Sequence, residues 1–252
     1  MKARLHAKTR LSTYYYNGVD DRPRFDNALQ EAAASLNAAG NFLGDSMLIW
    51  GRSMSFALNS NFMSAFNAAA PDHIERSIIW RTHILHGAAV HGLRLGGDFV
   101  EAACYRGFTA KVIADALDFA KVQKTYWLYD RFEVPSDPMM RLSHHTDDLF
   151  DRVKERFSDF PNVRVIKGDV PEVFAEAMPD RISFLHLDMN NAAAEIGALD
   201  ALWDRVVPGA FIVLDDYGWN VYRDQKEAED EWFANRDRMI IELPTGQGLV
   251  IK

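Results

Sequence analysis

The chain lacks several features that would announce a particular class of function. Of its 252 residues one is cysteine, Cys104, so no internal disulfide can form, which suits a reducing compartment. No apolar run approaches the roughly 18 residues that a membrane span needs. The opening "MKARLHAKTRL" is basic without the apolar stretch of a secretory signal, so a cytoplasmic protein with no membrane partner is expected. Excess positive charge is missing too. Lys and Arg total 28 against 36 Asp and Glu, a net charge of −8. That argues against a broad nucleic-acid surface, which is built from clustered Lys and Arg. A small-molecule partner is the class that remains. The glycine fingerprint G-x-G-x-x-G is also absent, which makes a dinucleotide cofactor a poor match.

What is present is the composition of a globular protein, 48% hydrophobic and 25% charged, with length enough for a sizeable core. Residues 96–252 alternate short apolar runs with amphipathic segments. "DFVEAA", "TYWLYD", "NVRVIKGD", "ISFLHLD" and "AFIVLDD" read as strands. "FTAKVIADALDFAK", a segment over 146–157, "VPEVFAEAM" and "AAEIGALDALWDRV" read as helices between them. "DRMIIEL", the turn "PTGQG" and "LVIK" close the chain as an antiparallel hairpin. The pattern predicts an α/β, Rossmann-like fold with a mostly parallel twisted sheet and ligands at the strands' carboxyl ends. Residues 1–95 differ, with helical candidates at 26–38, 58–69 and 73–94 joined by aromatic-rich segments. They read as a helical N-terminal extension, a cap on the core or a homo-oligomer contact.

Two apolar runs end on acids. "FLHLDMNN" stops at Asp188 and "GAFIVLDDYGW" at Asp215 and Asp216. If their strands are neighbours, the three carboxylates share one crevice and repel unless a positive charge sits among them. An oxygen-only set suits a hard cation such as Mg²⁺, which completes its shell with water or substrate oxygens. The plainer account is that acids cap strand ends and following helices, with Asp188 capping the helix that begins near Asn191.

The stretch "GDFVEAACYRGFTA" is strand, turn and helix start, the element that holds a nucleotide-like cofactor in doubly wound folds. Glu101, the turn containing Ala103, Arg106 and Gly107, and Thr109 near a helix N-terminus suit S-adenosylmethionine (SAM), whose carboxylate the helix start can receive. Asp130, at the end of the next strand, is placed to accept ribose hydroxyls. Asp169, after the third strand, is placed near an adenine amino group. Each of these acids can equally be a strand-end cap.

The order of "GDFVEAACYRG", "LYDRFEVPSD", "FLHLDMN", "VPGAFIVLDDYG" and "LPTGQGLVIK" resembles the macrocin O-methyltransferase family, sugar O-methyltransferases of macrolide and aminocoumarin biosynthesis. The likeness runs from about residue 97 to 252. It implies a metal-dependent class I methyltransferase using SAM, with Asp188, Asp215 and Asp216 as metal acids. The acceptor is then a small molecule such as a glycoside. Two departures stand out. The family usually has glycine where this chain has Ala103. It often reads Asp-x-Asp where this chain has Asp188-Met189-Asn190, and Asn190 cannot take a proton. The base then falls to another group, for which His144 and His145 are the candidates, or to water acting on a metal-acidified hydroxyl. As a solvated loop and helix cap, "SHHTDD" has an equal claim on those histidines.

Other features carry less. His83, His86 and His91 read as a polar helix surface. Cys104 reads as a small filler in the turn. Tyr14, Tyr15 and Tyr16, and "WGRSMSF" at 50–56, are candidates for stacking or pocket contacts. Alternatives to a sugar acceptor are a catechol-like or nitrogen acceptor, or a non-catalytic SAM-binding scaffold that has lost its base at position 190. An NADP oxidoreductase draws only on Arg131 after Asp130.

Overall fold

The computed structural model describes residues 10–12, 16, 18–36, 41–135 and 144–252. Two compact units emerge, Met1–His83 and Ile84–Lys252. The first contains β1 (Arg10–Ser12), α1 (Arg22–Ser35), β2 (Asn41–Gly44), β3 (Met47–Ile49), α2 (Ser60–Ala68), α3 (His73–Ser77) and the start of α4 (Ile79–Gly92). The helices fall close to their expected places, except that the span 73–94 is broken at Ile78. A capping box closes the start of α3, where Asp72 and Glu75 each accept the other's backbone N–H.

The first unit is not purely helical, which corrects the reading of a helical extension. Its three strands form one sheet in the order β1-β2-β3. The β2–β3 hairpin turns on Asp45 and Ser46, both at positive φ (50° and 54°), as a two-residue primed turn requires. Asp45 is buried and grips the Arg81 guanidinium through both oxygens, at 2.8 and 2.9 Å. Tyr16 is buried, its hydroxyl donating to the Met47 carbonyl at 3.1 Å. Tyr14 and Tyr15 lie outside the described residues. In "WGRSMSF", Trp50 is exposed while Phe56 is buried and stacks on His83 at 4.7 Å.

The second unit follows the expected alternation. In order come β4 (Asp98–Ala102), α5 (Phe108–Ala116), β5 (Tyr126–Asp130), α6 (Leu149–Arg156), β6 (Val163–Lys167), β7 (Ile182–Leu187), α7 (Ala192–Leu202) and β8 (Val206–Leu214). Then follow α8 (Arg223–Ala234), β9 (Ile241–Glu242) and β10 (Gly248–Ile251). The sheet runs β6-β5-β4-β7-β8-β10-β9, parallel from β6 to β8, with β10 antiparallel to β8 and β9 antiparallel to β10. This is the expected α/β architecture with its closing hairpin.

Two segments depart from expectation. "VPEVFAEAM" makes only a 3-10 turn, Glu172–Ala175, because Phe174 and Glu176 bond back over three residues within a segment bounded by Pro171 and Pro179. Helix α8 was not foreseen at all. It buries Gln225, Glu229, Trp232 and Phe233, a helical stripe of which half is polar.

The strands sort their side chains by alternation. Val100, Ala102, Leu185, Leu187, Ile212 and Leu214 face a core layer shared with α7 and α8. Phe99, Phe184 and Val213 face the opposite layer, with Leu85 and Ala89 of α4 and with α5 and α6. Period two therefore turns Glu101 and His186, which sit opposite each other in the β4–β7 register, toward the α4–α5 side. No helix among the described residues is long and apolar enough to cross a membrane.

Candidate active site

After β6 the chain crosses back past β4 to start β7, so the carboxyl ends of β4 and β7 open the crevice where doubly wound folds take ligands. The ladder continues beyond the strands. Asp188 N–H donates to the Ala102 carbonyl at 3.1 Å, and Asp215 N–H donates to Leu187 at 2.9 Å. These bonds bring the ends of β4, β7 and β8 side by side. Asp188 and Asp215 thus become neighbours because their strands are, as the apolar runs ending on acids suggested.

Ligand-capable atoms of His186, Asp188 and Asp215 all lie within 4.8 Å of one another. That span matches oxygens about 2.1–2.5 Å from a shared centre, so the two acids fit a hard divalent cation. Asp216 is also buried. Its charge acts on Glu195 of α7 and Glu229 of α8, adding to the burial that raises both their pKa values. Glu195 is wholly buried and accepts the Met189 N–H at 2.9 Å, which ties down the loop between Asp188 and Asn190. Asn190 itself is exposed and takes φ 53°, a left-handed conformation that asparagine tolerates.

His186 was not singled out from sequence. It is buried between two carboxylates, with Nδ1 3.6 Å from Glu101 Oε1 and Nε2 3.4 Å from Asp215 Oδ1. Burial alone disfavours a charged imidazole, but Asp215 and Glu101 outweigh it and hold its pKa well above the usual histidine range. Gln247 completes the other side, its Nε2 donating to Asp215 Oδ1 at 2.8 Å.

The β4–α5 element expected to hold a cofactor is bound mainly to itself. Glu101 accepts the Thr109 hydroxyl at 2.7 Å on one oxygen and the Tyr126 hydroxyl at 2.8 Å on the other. Asp130 accepts the backbone N–H groups of Tyr105 and Phe132, each at 2.7 Å, and burial raises its pKa. Ala103 and Tyr105 take φ 65° and 49°, so the turn adopts the left-handed backbone that glycine would favour without having it at either position. Gly107 caps α5 at φ 69°, and a Cβ there would lie 2.7 Å from the Phe157 ring. As the cap residue, Gly107 has no side chain with which to cap this helix start. Arg106 is buried, its guanidinium 5.9 Å from the Phe108 ring centre.

Asp169 stands apart from these buried groups. It is exposed and paired with Arg131 at 2.8 Å. His144 and His145 are half-buried against the cofactor turn. His144 N–H donates to the Tyr105 hydroxyl at 2.8 Å, and the His145 ring meets Tyr105 edge-on at 4.9 Å. Burial lowers the His145 pKa, favouring the neutral ring. Ser143, the first residue of "SHHTDD", lies outside the described residues. The α4 histidines His83, His86 and His91 are all partly buried rather than on a polar surface, and His91 Nε2 meets the Gly209 carbonyl at 2.9 Å. Cys104 is buried, and burial followed by Asp130 and Glu101 raises its pKa, as for an inert filler.

The sequence model of the macrocin O-methyltransferase (TylF) family matches residues 87–239. The chain belongs to that family. Among curated relatives, it is similar to the 8-demethyl-8-(2,3-dimethoxy-alpha-L-rhamnosyl)-tetracenomycin-C 4'-O-methyltransferase of Streptomyces olivaceus. They are 27% identical over 145 residues, 51% of this chain and 56% of the relative. It is also similar to the mycinamicin III 3''-O-methyltransferase of Micromonospora griseorubida, 26% identical over 164 residues, 54% of this chain and 63% of the relative. The matches thus span less than two thirds of either relative. Among solved structures, the O-methyltransferase NovP superposes with a TM-score of 0.57 at 20% identity, over 70% of this chain and 81% of NovP, a likeness of fold.

Proposed function

We propose that this family member is a SAM-dependent O-methyltransferase that methylates a hydroxyl of a sugar or polyol-bearing small molecule, with a divalent cation such as Mg²⁺ held by Asp188, Asp215 and Asp216. The observation that carries the reading is the meeting of Asp188 and Asp215 at adjoining strand ends beside the Glu101–Asp130 cofactor element. The name of the Streptomyces olivaceus relative gives it a rhamnosyl-bearing acceptor, which supports a glycoside acceptor here. A bound cation would lower the acceptor hydroxyl's pKa and fix its oxygen.

The chain's own residues do the rest. The start of α5 and its turn would receive the amino-acid end of SAM, and Asp130 would hold the ribose. Asp188 and Asp215 set where the acceptor oxygen sits relative to the methyl carbon. In the transfer the acceptor O–H bond breaks, the oxygen forms a bond to the methyl carbon and the carbon–sulfur bond breaks. S-adenosylhomocysteine (SAH) leaves, and the proton passes to His144, His145 or solvent. With Asn190 unable to accept it, the half-buried histidines on Tyr105 are the protein's candidates.

Substitution tests this directly. Asp188→Ala and Asp215→Ala, folded and still binding SAH, should lose methyl transfer to a glycoside acceptor, and chelation should abolish it in the unsubstituted protein. Full activity in both variants would contradict the reading. Catalysis of a catechol in preference to every glycoside tested would move the acceptor class.

A further inference from the structure

We infer that His186 and Gln247 are positioning residues for Asp215, clamping one of its oxygens from two sides so that the carboxylate meets the acceptor site in a single orientation. This rests on the cation-holding role proposed above for Asp215. Both contacts fall on Oδ1, from His186 Nε2 at 3.4 Å and Gln247 Nε2 at 2.8 Å. Both residues are buried to within 1% of complete exclusion from solvent, so neither is there to meet water. A carboxylate can only accept, so Gln247 must turn its amide nitrogen toward Asp215. The Thr245 hydroxyl, 3.0 Å from Gln247 Oε1, holds the amide in that sense.

The β9–β10 turn is built to keep Gln247 there. Leu243 N–H donates to the Gln247 carbonyl at 2.8 Å, and Gly218 N–H, just beyond the acid pair, donates to Gly246 at 2.7 Å. Gly246 takes φ 82°, and a Cβ on it would lie 2.4 Å from Trp219 Nε1. The turn and the segment after Asp215–Asp216 are therefore one packed unit. On the other side His186 reaches Glu101, which is already bonded to Thr109 and Tyr126. A buried polar chain, hydrogen-bonded at both ends and joined at the His186 ring by ion-pair contacts of 3.4 and 3.6 Å, thus links the start of α5 to the final hairpin, with Asp215 near its middle. This gives "PTGQG" a task in the site although it stands far from the acids in sequence. Groups bonded behind metal-bound carboxylates orient them, and losing one costs about 10–100-fold in metal affinity or activity.

The test is binding of Mn²⁺, as a paramagnetic stand-in, measured by electron paramagnetic resonance on the full chain saturated with SAH. Gln247→Leu should weaken Mn²⁺ about tenfold or more while SAH affinity stays within about twofold. Asp215→Asn should abolish the same Mn²⁺ binding, and adding Gln247→Leu to it should change nothing further. His186→Asn should weaken Mn²⁺ in the same direction. If Gln247→Leu does not fold, Thr245→Val, which frees the amide to turn, is read by the same measure and should weaken Mn²⁺ about threefold. Unchanged Mn²⁺ affinity in a folded Gln247→Leu or Thr245→Val, alongside loss in Asp215→Asn, overturns the positioning role and leaves the proposed function standing. Mn²⁺ binding indifferent to Asp215→Asn overturns the function reading, and the inference with it.

Discussion

The two halves of the crevice handle buried acid in opposite ways. At the ends of β4 and β5, Glu101 and Asp130 have each carboxylate oxygen occupied by a donor from the chain itself. Around the ends of β7 and β8, Asp188, Asp215, Asp216, Glu195 and Glu229 gather, and the outer oxygens of Glu195 and Glu229 are buried without a hydrogen-bond partner among the described residues. The first half is a finished polar lattice that presents shape. The second crowds acids together until burial and neighbouring carboxylates raise the pKa values of Glu195 and Glu229, with His186 set between Glu101 and Asp215. One region suits a cofactor recognised by fit. The other suits a partner that brings positive charge.

Breaking the charged half should have the largest effect. Asp215→Asn keeps the shape but removes the charge proposed to hold a cation, and kcat should fall about a thousandfold, the equivalent of about 4 kcal/mol, with SAH affinity nearly unchanged. Steady-state kinetics beside calorimetry separates the two. In the finished half the matching change is Tyr126→Phe, which takes a donor from the buried Glu101 carboxylate. It should lower stability by about 1–3 kcal/mol in chemical denaturation, because an acceptor is left buried and unpaired.

Glu229 sharpens the contrast through pH. Burial first, then Glu195, raises its folded pKa above the unfolded value. The folded state therefore holds a proton that the unfolded chain has released, and stability falls as pH rises from the ordinary carboxylate range through neutrality. Glu229→Gln removes that penalty. Its melting temperature should exceed that of the unsubstituted chain at pH 8, by an amount equivalent to about 1–2 kcal/mol, and the difference should vanish near pH 4. The smallest effect belongs to the turn. Ala103→Gly relieves about 1–2 kcal/mol of left-handed strain and gives back about 0.5–1 kcal/mol in backbone entropy. A net gain of about 0.5 kcal/mol is expected, measurable by denaturant midpoint.

Sequence made some of this legible and hid the rest for physical reasons. Asp188, Asp215 and Asp216 could be read because an acid ending an apolar run breaks a pattern. That Asp188 and Asp215 meet depended on β7 and β8 being neighbours, which the alternation alone does not fix. His186 could not, since β7 is buried along its whole length and its alternation does not show which face each residue takes. Gln247 reaches a partner 32 residues away and Glu195 a backbone N–H just before its own helix, and nothing in the local sequence of either marks that partner. Helix α8 escaped because Gln225 and Glu229 occupy core positions that apolar letters normally reveal. The strands of the first unit escaped because β2 is buried throughout and its turn uses Asp45 and Ser46 where glycine or asparagine would be the usual sign.

The most direct test of the central claim is calorimetric titration of the purified chain with SAH in Mg²⁺ buffer, with NADP titrated in parallel. The account expects saturable binding of SAH alone, at a single site, despite the alanine at position 103. A folded protein that bound NADP, or bound neither, would contradict it.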